Sequence, residues 1–308
     1  MRRPIIKVQM VSKFYGRVMG LNDITVDFGP GTTGLLGPNG AGKSTLIKLM
    51  TGQIRPSKGK VEVLSERPWD NPSLNARFGY CPEQDAFFKG MTGLKFVSFT
   101  ARLMGYPQTK ARTMAKEAIE KVGMTAAMDR DVQGYSKGMR QRIKLAQSLV
   151  HDPDLLILDE PMSGTDPMGR VRMMEVLSDL EKEGKHIVVS SHILHEIERM
   201  TESIILIDKG KLVASGNMHD IRDSLDRFPL TVRIITDERS RLAKLLMDAT
   251  PMSSITFGEQ GNELLVRTPT PDLFYSAFQD CLVENKVKVT AIDSPDDNLN
   301  AIFEYLVG

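Results

Sequence analysis

The run GPNGAGKST fits the spacing G-x-x-x-x-G-K-[ST] at Gly37, Gly42, Lys43 and Ser44. Glycines at those positions let backbone N–H groups close around phosphate oxygens. A lysine then reaches the β- and γ-phosphates, and a hydroxyl is offered to Mg²⁺. A second run, LLILDEP, carries four aliphatic residues into Asp159 and Glu160. A buried strand ending this way delivers a hard oxygen ligand, Asp159, to a metal, directly or through water. It also delivers a second carboxylate, Glu160, that can orient and deprotonate a water for in-line attack. A third apolar run, HIVVSSH, ends in His192, whose imidazole is placed to touch a terminal phosphate. A fourth, GYSKGMRQR, puts Ser136 and Gly138 at the mouth of an expected helix with two arginines behind, again the build of an anion site. The chain thus holds two phosphate-binding constellations.

These residues need a scaffold that gathers strand ends. Residues 5–10, 24–28, 32–37, 60–65, 77–84, 155–158 and 186–192 read as strands, and SIILID with KLVASG reads as a hairpin around 208–211. Helical spacing follows GKST, follows GYSKGM and covers 171–183. Strand alternating with helix predicts a mostly parallel sheet wrapped by helices, with Gly37, Asp159 and His192 on one edge, where ligands collect. Residues 91–128, rich in Met, Ala and Lys, predict an inserted helical subdomain. Its methionines are either core filler or a partner surface. In the helix after GYSKGM, Met139, Ile143, Ala146 and Val150 share the apolar face, and Arg140, Lys144 and Gln147 lie opposite. From 228 the order restarts as strand 231–236, helix 238–249, strands 253–259 and 263–268, helix 272–285 and strand 287–292, with a short helix at 297–307. This is a βαββαβ pattern.

Carried in this order, the motifs resemble the nucleotide-binding subunit of ATP-binding cassette (ABC) transporters, over roughly residues 5–227. The resemblance implies an α/β fold: a P-loop NTPase-type, mostly parallel sheet with an antiparallel β part and a helical subdomain at about 88–150. A small C-terminal α+β domain over 228–308 follows the cassette of 1–227. It makes GPNGAGKST the Walker A loop, adding Asn39, Gly40, Ala41 and Thr45 to the ATP contacts. LLILDEP becomes the Walker B strand, with Glu160 catalytic. It implies that Gln84 is the Q-loop glutamine that senses Mg²⁺ and faces the membrane subunit, that Asp166 in SGTD is the D-loop aspartate, that His192 is the switch histidine, and that Tyr15 stacks on adenine. GYSKGMRQR falls at the signature, commonly LSGGQ, so Ser136 and Gly138 of one subunit would complete the ATP site of a second. That explains two constellations in one chain. Lys137 replaces the first signature glycine and points either to the triphosphate or to solvent. The YSKGMRQR variant and the C-terminal extension resemble the ATPases of type-two ABC exporters.

The implied cofactors are ATP and Mg²⁺. The implied partners are a membrane-spanning permease subunit and a second cassette, with no nucleic acid, at the cytoplasmic face of the membrane. Phe87, Phe88 and Met91 either form part of a groove for the permease or pack the helical subdomain. An alternative is a soluble ABC-type ATPase acting on the ribosome or DNA. Against it, the chain holds one cassette, and no long heptad run separates Lys43 from Ser136. A GTPase is excluded by the missing guanine-reading NKxD. A net charge of +1 argues against coating a polyanion. The part before Pro229 is mildly basic and the rest acidic. Cys81 and Cys281 lack metal-ligand spacing and are expected to be buried thiols. No apolar run approaches a membrane span and the first residues lack a signal-peptide core, so a soluble chain with a separate membrane partner is expected.

Overall fold

The computed structural model describes residues 3–218, 221, 230–258 and 261–295. It divides into two units, Met1–Asn217 and Met218–Gly308. The division falls earlier than the boundary expected after 227. The helix expected at 297–307 lies outside the described residues.

In the first unit, β1 (Ile6–Tyr15) pairs antiparallel with β2 (Val18–Phe28) and with β4 (Lys58–Val63). The sequence places strands only at 5–10 and 24–28. The ladder runs on to a turn after Tyr15 because register shifts after Val8 and Val11, with Met10 and Asp23 at positive φ, break the period-2 alternation without ending the pairing. The larger sheet has six strands: β3 (Thr32–Leu36), β5 (Phe78–Cys81), β6 (Leu155–Leu158), β7 (His186–Ser191), β8 (Ser203–Asp208) and β9 (Lys211–Asn217). Their order is β5-β6-β7-β3-β8-β9, parallel throughout except for the β8–β9 hairpin. The parallel strands are short and mostly buried, and β6, β7 and β8 carry aliphatic runs, as strands covered on both faces do. One apolar core joins the two sheets through helix α1 (Lys43–Met50), whose Leu46, Ile47, Leu49 and Met50 are buried with Val8, Ile24, Ile157 and Val188. Each such aliphatic side chain contributes about 1.5–3 kcal/mol by leaving water.

After α2 (Pro72–Asn75), the helical part comprises α3 (Gly93–Leu103), α4 (Gln108–Lys121) and α5 (Lys137–Leu149). Thr92 caps α3 by accepting from Lys95 N at 3.3 Å, and Ser136 caps α5 by accepting from Met139 N at 3.3 Å. Tyr135, buried just before that cap, donates its hydroxyl to Ala127 O at 2.6 Å. Of the two readings for the phenylalanines, Phe87 packs on Phe96 (ring centroids 4.8 Å apart), while Phe88 stays exposed beside Phe99. Met124 is buried and Met104 exposed, so the methionines here divide between core and surface. Helix α6 (Pro167–Lys182) starts on a proline, and the short α7 (Leu194–Glu198) follows His192.

The second unit is a four-stranded antiparallel sheet: β10 (Leu230–Ile235), β11 (Ser254–Phe257), β12 (Glu263–Thr268) and β13 (Ala291–Asp293), ordered β11-β12-β10-β13. With α8 (Arg239–Ala249) and α9 (Pro271–Asn285) it has its own core of Val232, Ile234, Leu242, Leu246, Phe274 and Phe278. The last strand is shorter than the expected 287–292. Lys286 turns the chain through a left-handed residue, and Val287 and Val289 go into the core before pairing begins. Both cysteines are free and buried, and burial pushes the Cys81 thiol up to about 12.

Candidate nucleotide-binding and catalytic site

Because β6, β7 and β3 are parallel neighbours, their carboxyl ends share one edge. Leu36 leads into the 37–42 loop, Leu158 into Asp159 and Glu160, and Ser191 into His192. The loop approaches its surroundings so closely that a Cβ on Gly37 would collide with the Ile207 carbonyl. On Gly42 it would stand 2.7 Å from Leu21 Cδ2. Gly42, at φ 110, occupies the cap position of α1 with no side chain bonding the first-turn N–H groups. Other helices here cap those donors with Ser136 or Thr92. At α1 they are left for a ligand, and the helix dipole favours an anion there. The donors face a pocket of about 240 Å³ lined by Gly20, Pro38, Asn39, Gly40, Ala41, Gly42, Lys43, Ser44, Thr45, Glu83 and Glu160.

Lys43 is buried. Its ammonium donates to Gly37 O at 2.6 Å and Pro38 O at 3.3 Å, and lies 3.3 Å from Glu160 Oε1. Glu160 sits at φ 49, a left-handed conformation rare for a side-chain-bearing residue. Three contacts hold it there. Its N–H donates to Ser190 Oγ at 2.9 Å, His192 Nδ1 lies 2.8 Å from Oε2, and Lys43 faces Oε1. An ionised carboxylate only accepts, so Nδ1–H is the donor. Oε1 is buried and makes no hydrogen bond. Ser190 Oγ also donates to Asp159 Oδ1 at 2.7 Å, so one hydroxyl positions both acids.

The residues fit a magnesium nucleotide. The cradle offers first-turn N–H groups with no side-chain cap, a buried ammonium and the Ser44 hydroxyl for the phosphates, with the Asp159 carboxylate at the end of β6 for the ion and Glu160 Oε1, which has no hydrogen bond, for a water. Among the described residues no group of three or more His, Cys, Asp or Glu side chains forms a cation cage.

The structure does not bring every expected residue to the pocket. Gln84 is exposed and its neighbour Glu83 lines the pocket instead, on the bend that follows the end of β5 at Cys81. Tyr15 is also outside the lining and packs against Gly20, a lining residue that motif reading missed for want of any signal. Ser136, Gly138 and Asp166 stand apart from the pocket. Asp166 Oδ1 lies 3.9 Å from where a Gly138 Cβ would be, so signature and D-loop residues adjoin within one chain. Lys137 is exposed, and the end of its side chain lies against Gly164. Lys144, read as part of a polar helix face, is buried.

Residues 21–163 match the family described as ABC transporter. The daunorubicin/doxorubicin resistance ATP-binding protein of Streptomyces peucetius is 30% identical over 276 residues, 89% of this chain and 83% of that protein. The chain belongs to the ATP-binding proteins of ABC transporters. An ABC transporter ATP-binding protein of Nostoc is 42% identical over 199 residues, 64% of this chain and 59% of that relative's length. A solved ATP-binding subunit of an ABC transporter is 26% identical and superposes with a TM-score of 0.65 over 72% of this chain and 93% of its own. This family member is therefore an ATP-hydrolysing transport subunit, and the reading as a soluble ATPase acting on ribosome or DNA is set aside. No helix among the described residues is long and apolar enough to cross a membrane.

Proposed function

We propose that this chain hydrolyses ATP at a pocket completed by a second copy, and that it powers export through a membrane-spanning permease at the cytoplasmic face of the membrane. The observation that carries the reading is that the residues expected to meet the terminal phosphate do not all line one pocket. The pocket is lined by Gly20, the 38–45 loop, Glu83 and Glu160, while Ser136 and Gly138, at the start of α5, are not among its lining residues. A second cassette facing head to tail would present its Ser136 and Gly138 to the terminal phosphate, with Asp166 at the junction. Export is favoured by the similarity to a drug-resistance ATP-binding protein. Nucleic acid is no partner in this reading.

In this reading each residue takes the role that the family resemblance implies. The loop from Gly37 through Asn39, Gly40 and Ala41 to Gly42, with Lys43 and Thr45, takes the phosphates. Tyr15, on Gly20 at the rim, takes the base. Ser44 and Asp159 would hold Mg²⁺, which when bound neutralises phosphate charge, and Gln84, outside the pocket lining here, would reach the ion only by a movement of its loop. Phosphate oxygens entering the cradle compete for Lys43, which leaves Glu160 Oε1 to accept a proton from the attacking water. His192 keeps Oε2 engaged and so fixes the direction of the carboxylate. Gln84, exposed on its loop with Phe88 nearby, faces the permease.

Replacing Glu160 with Gln and measuring molar mass by light scattering tests this. The expected result is a protein that binds ATP without turnover and dimerises only with MgATP. A variant that binds MgATP yet stays monomeric at all concentrations would overturn the two-copy site.

A further inference from the structure

The ammonium of Lys144, on α5, has all three donor directions used by one short segment. It donates to Pro82 O at 2.9 Å and Glu83 O at 2.7 Å, and pairs with Asp85 Oδ1 at 3.1 Å. Its side chain is 1% exposed. Burying a lysine this completely is costly unless every proton finds an acceptor, which these three provide. The other oxygen of Asp85, Oδ2, takes Arg140 Nε at 2.7 Å, and Arg140 also donates to Tyr135 O at 2.6 Å. Gln84 is therefore gripped on both sides, through Glu83 O and through Asp85. A continuous run of polar contacts leads from Tyr135, next to Ser136, to Glu83 in the pocket lining.

We propose that Lys144, Asp85 and Arg140 form a latch that makes the Gln84 loop and the signature end of α5 one mechanical piece. The pocket a chain lines with Glu83 is thereby coupled to the half-site it lends its partner through Ser136. Lys144 and Asp85 are positioning residues and touch no nucleotide. The inference rests on the two-copy reading above. Nothing in the motif requires it, because Lys144 lies two turns beyond the signature serine and reads as an ordinary polar helix position.

The test uses the full chain with Glu160→Gln as parent and compares the protein concentration at which MgATP drives half of it into dimers. Lys144→Met is expected to raise that concentration at least tenfold while ATP affinity of the monomer stays within about twofold. Asp85→Asn, at a partly exposed position where folding is not at risk, is expected to do the same. Asp85→Glu, which keeps the charge, should stay within about threefold of the parent. Dimerisation unchanged in both Lys144→Met and Asp85→Asn overturns the latch and leaves the two-copy site standing. A parent that never dimerises overturns that site, and the latch with it. Monomer ATP affinity falling in step with dimerisation also overturns the latch, since it would mark Lys144 as support for the pocket itself.

Discussion

The Ser190 hydroxyl donates to Asp159 Oδ1 at 2.7 Å and accepts the backbone N–H of Glu160 at 2.9 Å. A single side chain on β7 thus sets both acids at the end of β6, and does so for a glutamate held at positive φ. Replacing Ser190 with Ala removes that support without touching substrate. We expect kcat for ATP hydrolysis to fall about 10–100-fold, the usual cost of losing a group that orients a reacting or ligating residue. Nucleotide affinity without Mg²⁺ should hold. Steady-state ATPase assays with equilibrium binding of ATP in chelator separate the two. Retention of full kcat would show that Glu160 is fixed by His192 and Lys43 alone.

His192 is held from a different side. Ser191 Oγ accepts Ile193 N–H at 2.9 Å and donates to Glu196 Oε2 at 3.1 Å, and Glu196 Oε1 pairs with Arg170 NH1 at 3.2 Å. Glu196 is 3% exposed, so removing its partner or its charge leaves a poorly solvated ion. Glu196→Ala should destabilise the fold by about 3 kcal/mol, the low end for a broken buried pair because Arg170 is partly solvated. It should also lower kcat by freeing the turn that carries His192. Urea unfolding and ATPase rates on the same preparations test both. A stable protein with reduced kcat would confine the pair to catalysis, and loss of neither would remove its role.

His151 provides a pH signature independent of the nucleotide. Burial pushes its imidazole below the ordinary value, more than the Phe78 carbonyl and Asp152 raise it, and Lys185 adds to the lowering. The folded state therefore resists protonation that the unfolded state accepts. Stability from this residue is present above the unfolded pKa of about 6.5, and it is lost as pH falls from there through the lowered folded value. Urea midpoints between about pH 7 and about pH 5 should drop less for His151→Gln than for the parent. An equal drop in both would place the acid sensitivity elsewhere.

Much of the candidate site can be read from the chain because it lies at the ends of short buried strands. Four aliphatics before Asp159, three before the serines preceding His192, and a glycine-rich loop after TTGLL each mark a strand meeting a turn, and parallel order puts such turns on one edge. Gly20 and Glu83 escape this logic. One comes from an antiparallel hairpin whose length is hidden by bulges at Val8 and Val11. The other comes from an irregular bend after β5, where no periodicity tells whether Glu83 or Gln84 meets the pocket. Lys144 escapes for another reason. Helical periodicity separates apolar from polar faces but does not say that a polar face is covered, and here the loop after β5 covers it. In the second unit the βαββαβ order is legible. The length of its last strand is not, since Val287 and Val289 serve the core before β13 pairs.

The strand order has one more consequence. Glu160 follows β6 and the Gly37 loop follows β3, with β7 between them, so their backbones start two ladder spacings apart, about 4.8 Å each. That gap is ruled by backbone hydrogen bonds, which do not stretch when loops or helices move. The sheet works as a fixed caliper. The ends of β3 and β6 are its jaws, and Lys43, at the start of α1, reaches across from one to Glu160 on the other. Shortening that side chain, as Glu160→Asp does, cannot be compensated by the scaffold. Substitutions in the surrounding helices can alter when the site is completed, but not the spacing of the strand ends beneath it.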